Sequence, residues 1–190
     1  MMSSVFSLSY LLLWIIVLVQ SYYLIKSARA AKAIRDMPPP SPEEMMSKIM
    51  RGDHGVIKGR LFPQLEFETV HHGRINLSKT SKKGSIIAFA STGCEQCKMI
   101  YPILKQFSQE RDDVSIMMLM DGPEAQVAAT IEKYNIPVPV TPITKADMTR
   151  LETGFFPFVY YLNHKGEVET KGVVNLQEQL ELLVTKGQTA

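Results

Sequence analysis

The chain has 190 residues, 45% of them hydrophobic and 21% charged, with a net charge of +2. That length suits one ordinary domain plus some extra chain, and the near-neutral balance gives no general basic surface for nucleic acid. Two cysteines cannot build a disulfide scaffold. The first segment differs from the rest. Val5 to Ile25 carries no charged residue and would span about 30 Å as a helix, the thickness of a bilayer core. Tyr10, Tyr22 and Tyr23 lie near its ends, where amphipathic rings favour the membrane interface. A buried core helix would need a larger surrounding fold. A cleaved signal peptide is the nearer rival. Its best small-residue site, Ala28-Arg29-Ala30, lies past the apolar stretch and contains a charge. An uncleaved transmembrane helix is the expectation, bound to membrane lipid. Lys26, Arg29, Lys32 and Arg35 follow the span and no Lys or Arg precedes it, so charge alone places the rest of the chain in the cytoplasm.

Residues 1–36 thus read as an anchor with a helical extension. "MPPPSPEE" then stops the helix, because consecutive prolines cannot continue one. Residues 37–54 read as an extended spacer, and 55–190 as the globular domain. Within it, "LEFETV" and "HHGRINL" read as a hairpin turning at His71, His72 and Gly73. "SIIAFA" (85–90) and "VSIMMLM" (114–120) are apolar runs of buried-strand length. Between them, Met99, Ile100, Ile103, Leu104 and Phe107 have helical spacing. "PEAQVAATIEKY" opens with Pro and Glu, as a first helical turn does. "PFVYYL", "NHKG" and "EVETKGVV" read as an antiparallel hairpin, and "NLQEQLELLVTKG" as a closing helix with Asn175 as its cap and Gly187 past its end. The order predicts an α/β fold: a central mixed sheet covered by helices.

Both cysteines stand in "STGCEQCKM", between a predicted strand and a predicted helix. That position puts Cys94 at a helix N-terminus, where orphan N–H groups and the helix dipole favour a thiolate. Cys97, one turn later, can close a disulfide with it. Half of a zinc site is an alternative, but zinc needs two further ligands. The histidines available are His54, His71, His72 and His164, and none has Cys/His pair spacing. A pair of structural cysteines is the other alternative.

Cys94-x-x-Cys97, with Pro102 kinking the following helix, resembles thioredoxin-fold oxidoreductases. The resemblance implies a thioredoxin-like fold, catalytic Cys94 and Cys97, and a cis-proline before the strand facing the dithiol. "FFPFVYYL" supplies Pro157 for that role, with the backbone of Phe156 and Pro157 binding substrate. It implies no metal, flavin or nucleotide cofactor. The entry segment "GVIKGRLFPQLEFETVHHGRINLS" is similar to membrane-tethered TlpA-like domains. Phe156 to Leu183, and the anchor's Leu12-Leu13-Trp14, resemble MauD, the methylamine dehydrogenase accessory proteins. Departures are visible. Gly93 stands where thioredoxins carry tryptophan, and Ala88 where thioredoxin has a buried acid. Glu95-Gln96 stands where MauD proteins tend to have Pro-Val. Ile87 stands where a peroxiredoxin would need proline. Glu95 is expected to raise the thiolate pKa against the helix dipole, which points away from a strong oxidant and toward a reductase or isomerase.

The resemblance implies a membrane-anchored thiol–disulfide oxidoreductase. Its partners would be a disulfide-containing exported protein, such as the methylamine dehydrogenase small subunit, and a membrane electron-transfer protein serving the dithiol. It also implies an extracytoplasmic domain, against the charge rule. A reductase for cytochrome c maturation and a non-redox thioredoxin-like chaperone are the alternatives.

Overall fold

The computed structural model describes residues 14–26, 29 and 54–189. The chain divides into two units, Met1–Pro40 and Ser41–Ala190. In the first, residues 14–26 form a helix with exposed side chains, among them Trp14, Ile15, Ile16, Leu18 and Val19. Among the described residues no helix is long and apolar enough to cross a membrane. The first nine residues of the expected span, 5–13, lie outside the described residues, as do Lys32, Arg35 and nearly all of the spacer expected over 37–54.

The second unit is built on a five-stranded sheet. Its strands are β3 (Gly84–Ser91), β4 (Val114–Asp121), β5 (Val140–Ile143), β6 (Phe158–Asn163) and β7 (Val168–Gly172), in the order β5-β4-β3-β6-β7. β3 runs parallel to β4, and β4 to β5; β6 is antiparallel to β3 and β7. A separate hairpin joins β1 (Glu66–Thr69) and β2 (Gly73–Asn76). Between and after the strands, the described residues of this unit form α1 (Ile100–Glu110), α2 (Glu124–Tyr134), α3 (Lys145–Arg150) and α4 (Gln177–Gln188).

β3 reads as an unbroken apolar run because both its faces are buried. Ile86, Ala88 and Ala90 face one core, packed by Ile100, Leu104 and Phe107 of α1, Val127 and Ile131 of α2, and Leu180, Leu183 and Val184 of α4. Ile87 and Phe89 face a second core with Leu119, Phe158 and Tyr160. Helices α1, α2 and α4 therefore cover only the first face. The second is closed by Val56, Phe62 and Phe67 from the entry segment and hairpin, and by Ile143 and Leu151 around α3.

A flanking segment lies along part of each sheet edge, which shields it against strand addition. The hairpin lies along β5, where Val70 N donates to Val140 O at 2.9 Å. Residues 59–62 run along β7, with Gly59 N donating to Val168 O at 2.7 Å and Phe62 N to Gly166 O at 2.9 Å.

The closing helix corrects two expectations. Asn175 does not cap it: Gln179 Oε1 instead accepts from the backbone N–H groups of Asn175 (2.8 Å) and Leu176 (3.2 Å). A longer side chain inside the first turn reaches back to serve both orphan donors. Gly187 lies within α4, not beyond it. A Cβ there would fall 2.2 Å from Tyr161 Cδ1, so glycine serves close packing rather than termination.

At the sheet end where β4 begins, Arg111 clasps Asp113 with Nε at 2.7 Å and Nη2 at 3.1 Å. Gln188 Nε2 at the end of α4 donates to the same carboxylate at 3.2 Å. Arg111, then burial opposing it, then Gln188 leave the Asp113 carboxyl well below the usual carboxylate range. A depressed native pKa stabilises the fold above the unfolded-state pKa and stops doing so as pH falls through the native value. Stability is therefore expected to decline below about pH 4. Asp113→Asn should cost about 1 kcal/mol at neutral pH and flatten that acid limb in urea titrations. An acid limb identical to that of the unaltered chain would remove this network from the account.

Candidate active site

The dithiol sits where β3 hands over to the helical layer. After Ser91 the chain turns, and Cys94 N donates back to Ser91 O at 3.1 Å. Gln96–Met99 form a 3-10 turn that leads directly into α1. Pro102 therefore does not kink an established helix. It stands in the first turn of α1, where its missing N–H costs little. The turn before it is tightened to 3-10 instead.

Cys94 and Cys97 are joined in a disulfide. Cys94 is half-buried and Cys97 is 0% exposed. The Cys97 backbone N–H points at Cys94 Sγ, 3.2 Å away. A donor so placed, at the start of a helical segment, stabilises negative charge on that sulfur once the disulfide opens. Cys97 belongs to the buried core cluster that also holds Ile100, Tyr101 and Leu104. In that layer the Tyr101 hydroxyl is pushed up to about 12, by burial first and by Tyr134 second; its ring lies 5.0 Å from that of Tyr134.

Glu95 pairs with Lys98, three residues on. Its carboxylate is the main reason the Lys98 ammonium titrates above its ordinary value. This corrects the expectation that Glu95 acts as a lone charge on the thiolate. A cation beside it offsets the field, and both groups are well exposed, so water screens what is left. With its field offset, Glu95 favours neither a reductase nor an isomerase. The Glu-x-x-Lys spacing carried this signal in the sequence.

The Phe156–Pro157 peptide bond is cis. β3 pairs with β6 at Ala88↔Val159 and Phe89↔Phe158, so the next step of the register sets Pro157 against Ala90, at the sheet end from which the Cys94 turn departs. Pro157 is buried. Phe156 and Cys94 both border the core cluster that contains Cys97. Along the chain Cys94 and Pro157 are about sixty positions apart; strand register brings them to one end of the sheet.

The histidines lie elsewhere. His54 packs against the Phe155 ring at 4.3 Å and the Phe158 ring at 6.0 Å. His71 and His72 stand at the hairpin turn and His164 in the β6–β7 turn. Among the described residues no group of three or more His, Cys, Asp or Glu side chains could hold a metal ion.

The difference in exposure sets up a direct chemical test. In the reduced chain, iodoacetamide should label Cys94 first, with Cys97 protected until the fold opens. Peptide mapping that finds Cys97 modified ahead of Cys94 would reverse their roles.

The chain matches no protein-family model. Among curated proteins it is 20% identical to the methylamine utilization protein MauD of Paracoccus versutus over 72% of this chain and 69% of that protein. It is 24% identical to MauD of Methylorubrum extorquens over 70% and 65%. It is 26% identical to the thiol-disulfide oxidoreductase ResA of Oceanobacillus iheyensis over 54% and 55%. Solved structures share the fold. A putative thiol:disulfide interchange protein DsbE from Chlorobium tepidum matches with TM-score 0.62 and 16% identity, over 70% of this chain and 99% of that one. StoA from Bacillus subtilis matches with TM-score 0.52 and 22% identity, over 66% and 95%.

The thioredoxin-like sheet, the Cys-x-x-Cys disulfide at the end of its central strand, and a relative named as a thiol-disulfide oxidoreductase together define the class: a thiol–disulfide oxidoreductase of thioredoxin-like fold. Within that class the chain is similar to the MauD proteins and to ResA.

Proposed function

We propose that the chain is a membrane-anchored thiol–disulfide oxidoreductase that acts on exported, disulfide-bonded proteins. The observation that carries the exchange chemistry is the asymmetry of the dithiol. Cys94 is half-buried with a backbone N–H aimed at its sulfur, and Cys97 is fully buried behind it. In the reducing direction the Cys94 thiolate attacks one sulfur of a substrate disulfide. A Cys94–substrate disulfide forms, and the other substrate sulfur leaves as a thiolate that takes up a proton. Cys97 gives up its proton and attacks Cys94 Sγ, and the second substrate sulfur leaves with the bonding pair. Two electrons pass to the substrate, and the Cys94–Cys97 bond is restored. Oxidation runs the same steps backward. Phe156 and Pro157 would line the docking strip for the extended substrate chain.

The substrate by resemblance is the small subunit of methylamine dehydrogenase. A membrane electron-transfer protein would reset the dithiol between turnovers. Residues 5–25 would hold the domain at the outer face of the cytoplasmic membrane, against the bias of Lys26, Arg29, Lys32 and Arg35. Loop charge is a statistical guide, and a single short span can follow the domain it carries.

Reporter fusions after residue 190 test the topology. Alkaline phosphatase should be active, and a fluorescent protein that matures only in the cytosol should stay dark. The opposite pattern would make the chain a cytoplasm-facing enzyme and remove exported proteins as its substrates.

A further inference from the structure

Ser91 holds the turn that carries Cys94 from three directions. Its Oγ donates to Asp121 Oδ2 at 3.1 Å. The same oxygen accepts from Gly93 N at 3.4 Å. Its carbonyl accepts from Cys94 N at 3.1 Å. A hydroxyl has one hydrogen, and the carboxylate takes it in a charge-assisted bond. The lone pairs of Ser91 Oγ are thereby left facing the Gly93 N–H, inside the turn.

The neighbouring contacts tighten the same joint. Ser91 and Asp121 are paired in register at the ends of β3 and β4. Thr92 N donates to Asp121 O at 3.0 Å. Gly122, with φ +148, lets Thr92 lie so close that a Cβ there would stand 2.5 Å from Thr92 Oγ1. The Thr92 hydroxyl itself lies 3.4 Å from both Asp121 O and Gln126 Oε1. Among these contacts, the Asp121 carboxylate is the charged group.

We propose that Asp121 is a positioning residue for Cys94: through the Ser91 hydroxyl it fixes the Ser91–Gly93 turn and so keeps Cys94 Sγ in line with the Cys97 N–H. This rests on Cys94 being the attacking thiol. It also gives the chain a polar support for the dithiol at a different place from Ala88, where the sequence has none. Asp121 touches neither sulfur and acts through Ser91.

The test separates the carboxylate's charge from its role as acceptor. The full chain is reduced in detergent, and the pH midpoint of Cys94 alkylation by iodoacetamide is measured. Asp121→Asn removes the charge but keeps an oxygen for Ser91. Asp121→Ala removes both. The midpoint in Asp121→Ala should lie above that in Asp121→Asn by about half a unit, because a loosened turn draws the sulfur away from its donor. In a Ser91→Ala background the two should coincide. On native Asp121, Ser91→Ala should raise the midpoint and Ser91→Thr should restore it; this pair serves if Asp121→Ala does not fold. Coincident midpoints with Ser91 present, or a gap that survives in Ser91→Ala, would overturn the assignment. Exchange with 5,5′-dithiobis(2-nitrobenzoate) is run alongside. An unaltered chain that fails to exchange at Cys94 sinks the functional reading and this inference together. A reactive chain with insensitive variants sinks the inference alone.

Discussion

Cys94→Ser is expected to lower turnover of a protein disulfide to background, a loss on the order of 10³ or more. The thiolate is the nucleophile in exchange, and a serine hydroxyl does not ionise in the pH range where the fold is stable. Cys97 cannot take over, since it is 0% exposed beneath the turn. The structural consequence should be small, because serine fits the space of a half-buried cysteine. Disulfide reduction in insulin, driven by dithiothreitol, measures the change. Activity within tenfold of the unaltered chain would place the nucleophile elsewhere. If the Cys94→Ser/Cys97→Ser chain also complements a null strain, the protein is a binding module and not a redox catalyst.

Phe89→Ala should have the largest effect on stability. Phe89 lies on the central strand, 0% exposed, and pairs in register with Leu119 on one side and Phe158 on the other. Its ring meets Tyr160 at a centroid distance of 5.8 Å, within a core that also holds Phe62 and Leu162. Strands on both sides hold the backbone, so the cavity cannot collapse. Truncation of a buried Phe then costs about 3–5 kcal/mol, a large share of the about 5–15 kcal/mol that typically holds a domain. Urea unfolding of the two chains gives the difference. A loss below about 1 kcal/mol would mean that the second core is not packed as described.

β3, β4 and β6 were legible because strands buried on both faces are long apolar runs. β5 and α3 were not. β5 is an edge strand with Pro142 within it and Pro137 and Pro139 just before. Proline is tolerated there because an edge leaves one row of N–H groups unpaired, yet in sequence it reads as loop. α3 has only six residues and no buried face. Its signal was the Thr144-x-x-Asp147 capping box, in which Thr144 N donates to Asp147 Oδ2 at 2.9 Å. At the site, the two cysteines were legible from spacing alone, and Pro157 only through resemblance. Ser91 and Asp121 were invisible: they lie thirty positions apart, and only the parallel register of β3 and β4 sets them side by side. The cover of the sheet's second face was illegible for a related reason. Val56 and Phe62 sit in short apolar pairs and Phe67 in a four-residue strand, with no single period to announce a shared surface.

The assigned order of exchange is attack by Cys94 and release by Cys97. Its most direct measurement is the intact mass of the Cys97→Ser chain after incubation with a disulfide-bonded protein. With the resolving thiol gone, the first step can proceed and the second cannot. The expected result is a stable covalent adduct of the two masses, reversed by dithiothreitol and mapped to Cys94. An adduct on Cys97 in the Cys94→Ser chain, or no adduct in either variant, would contradict the account.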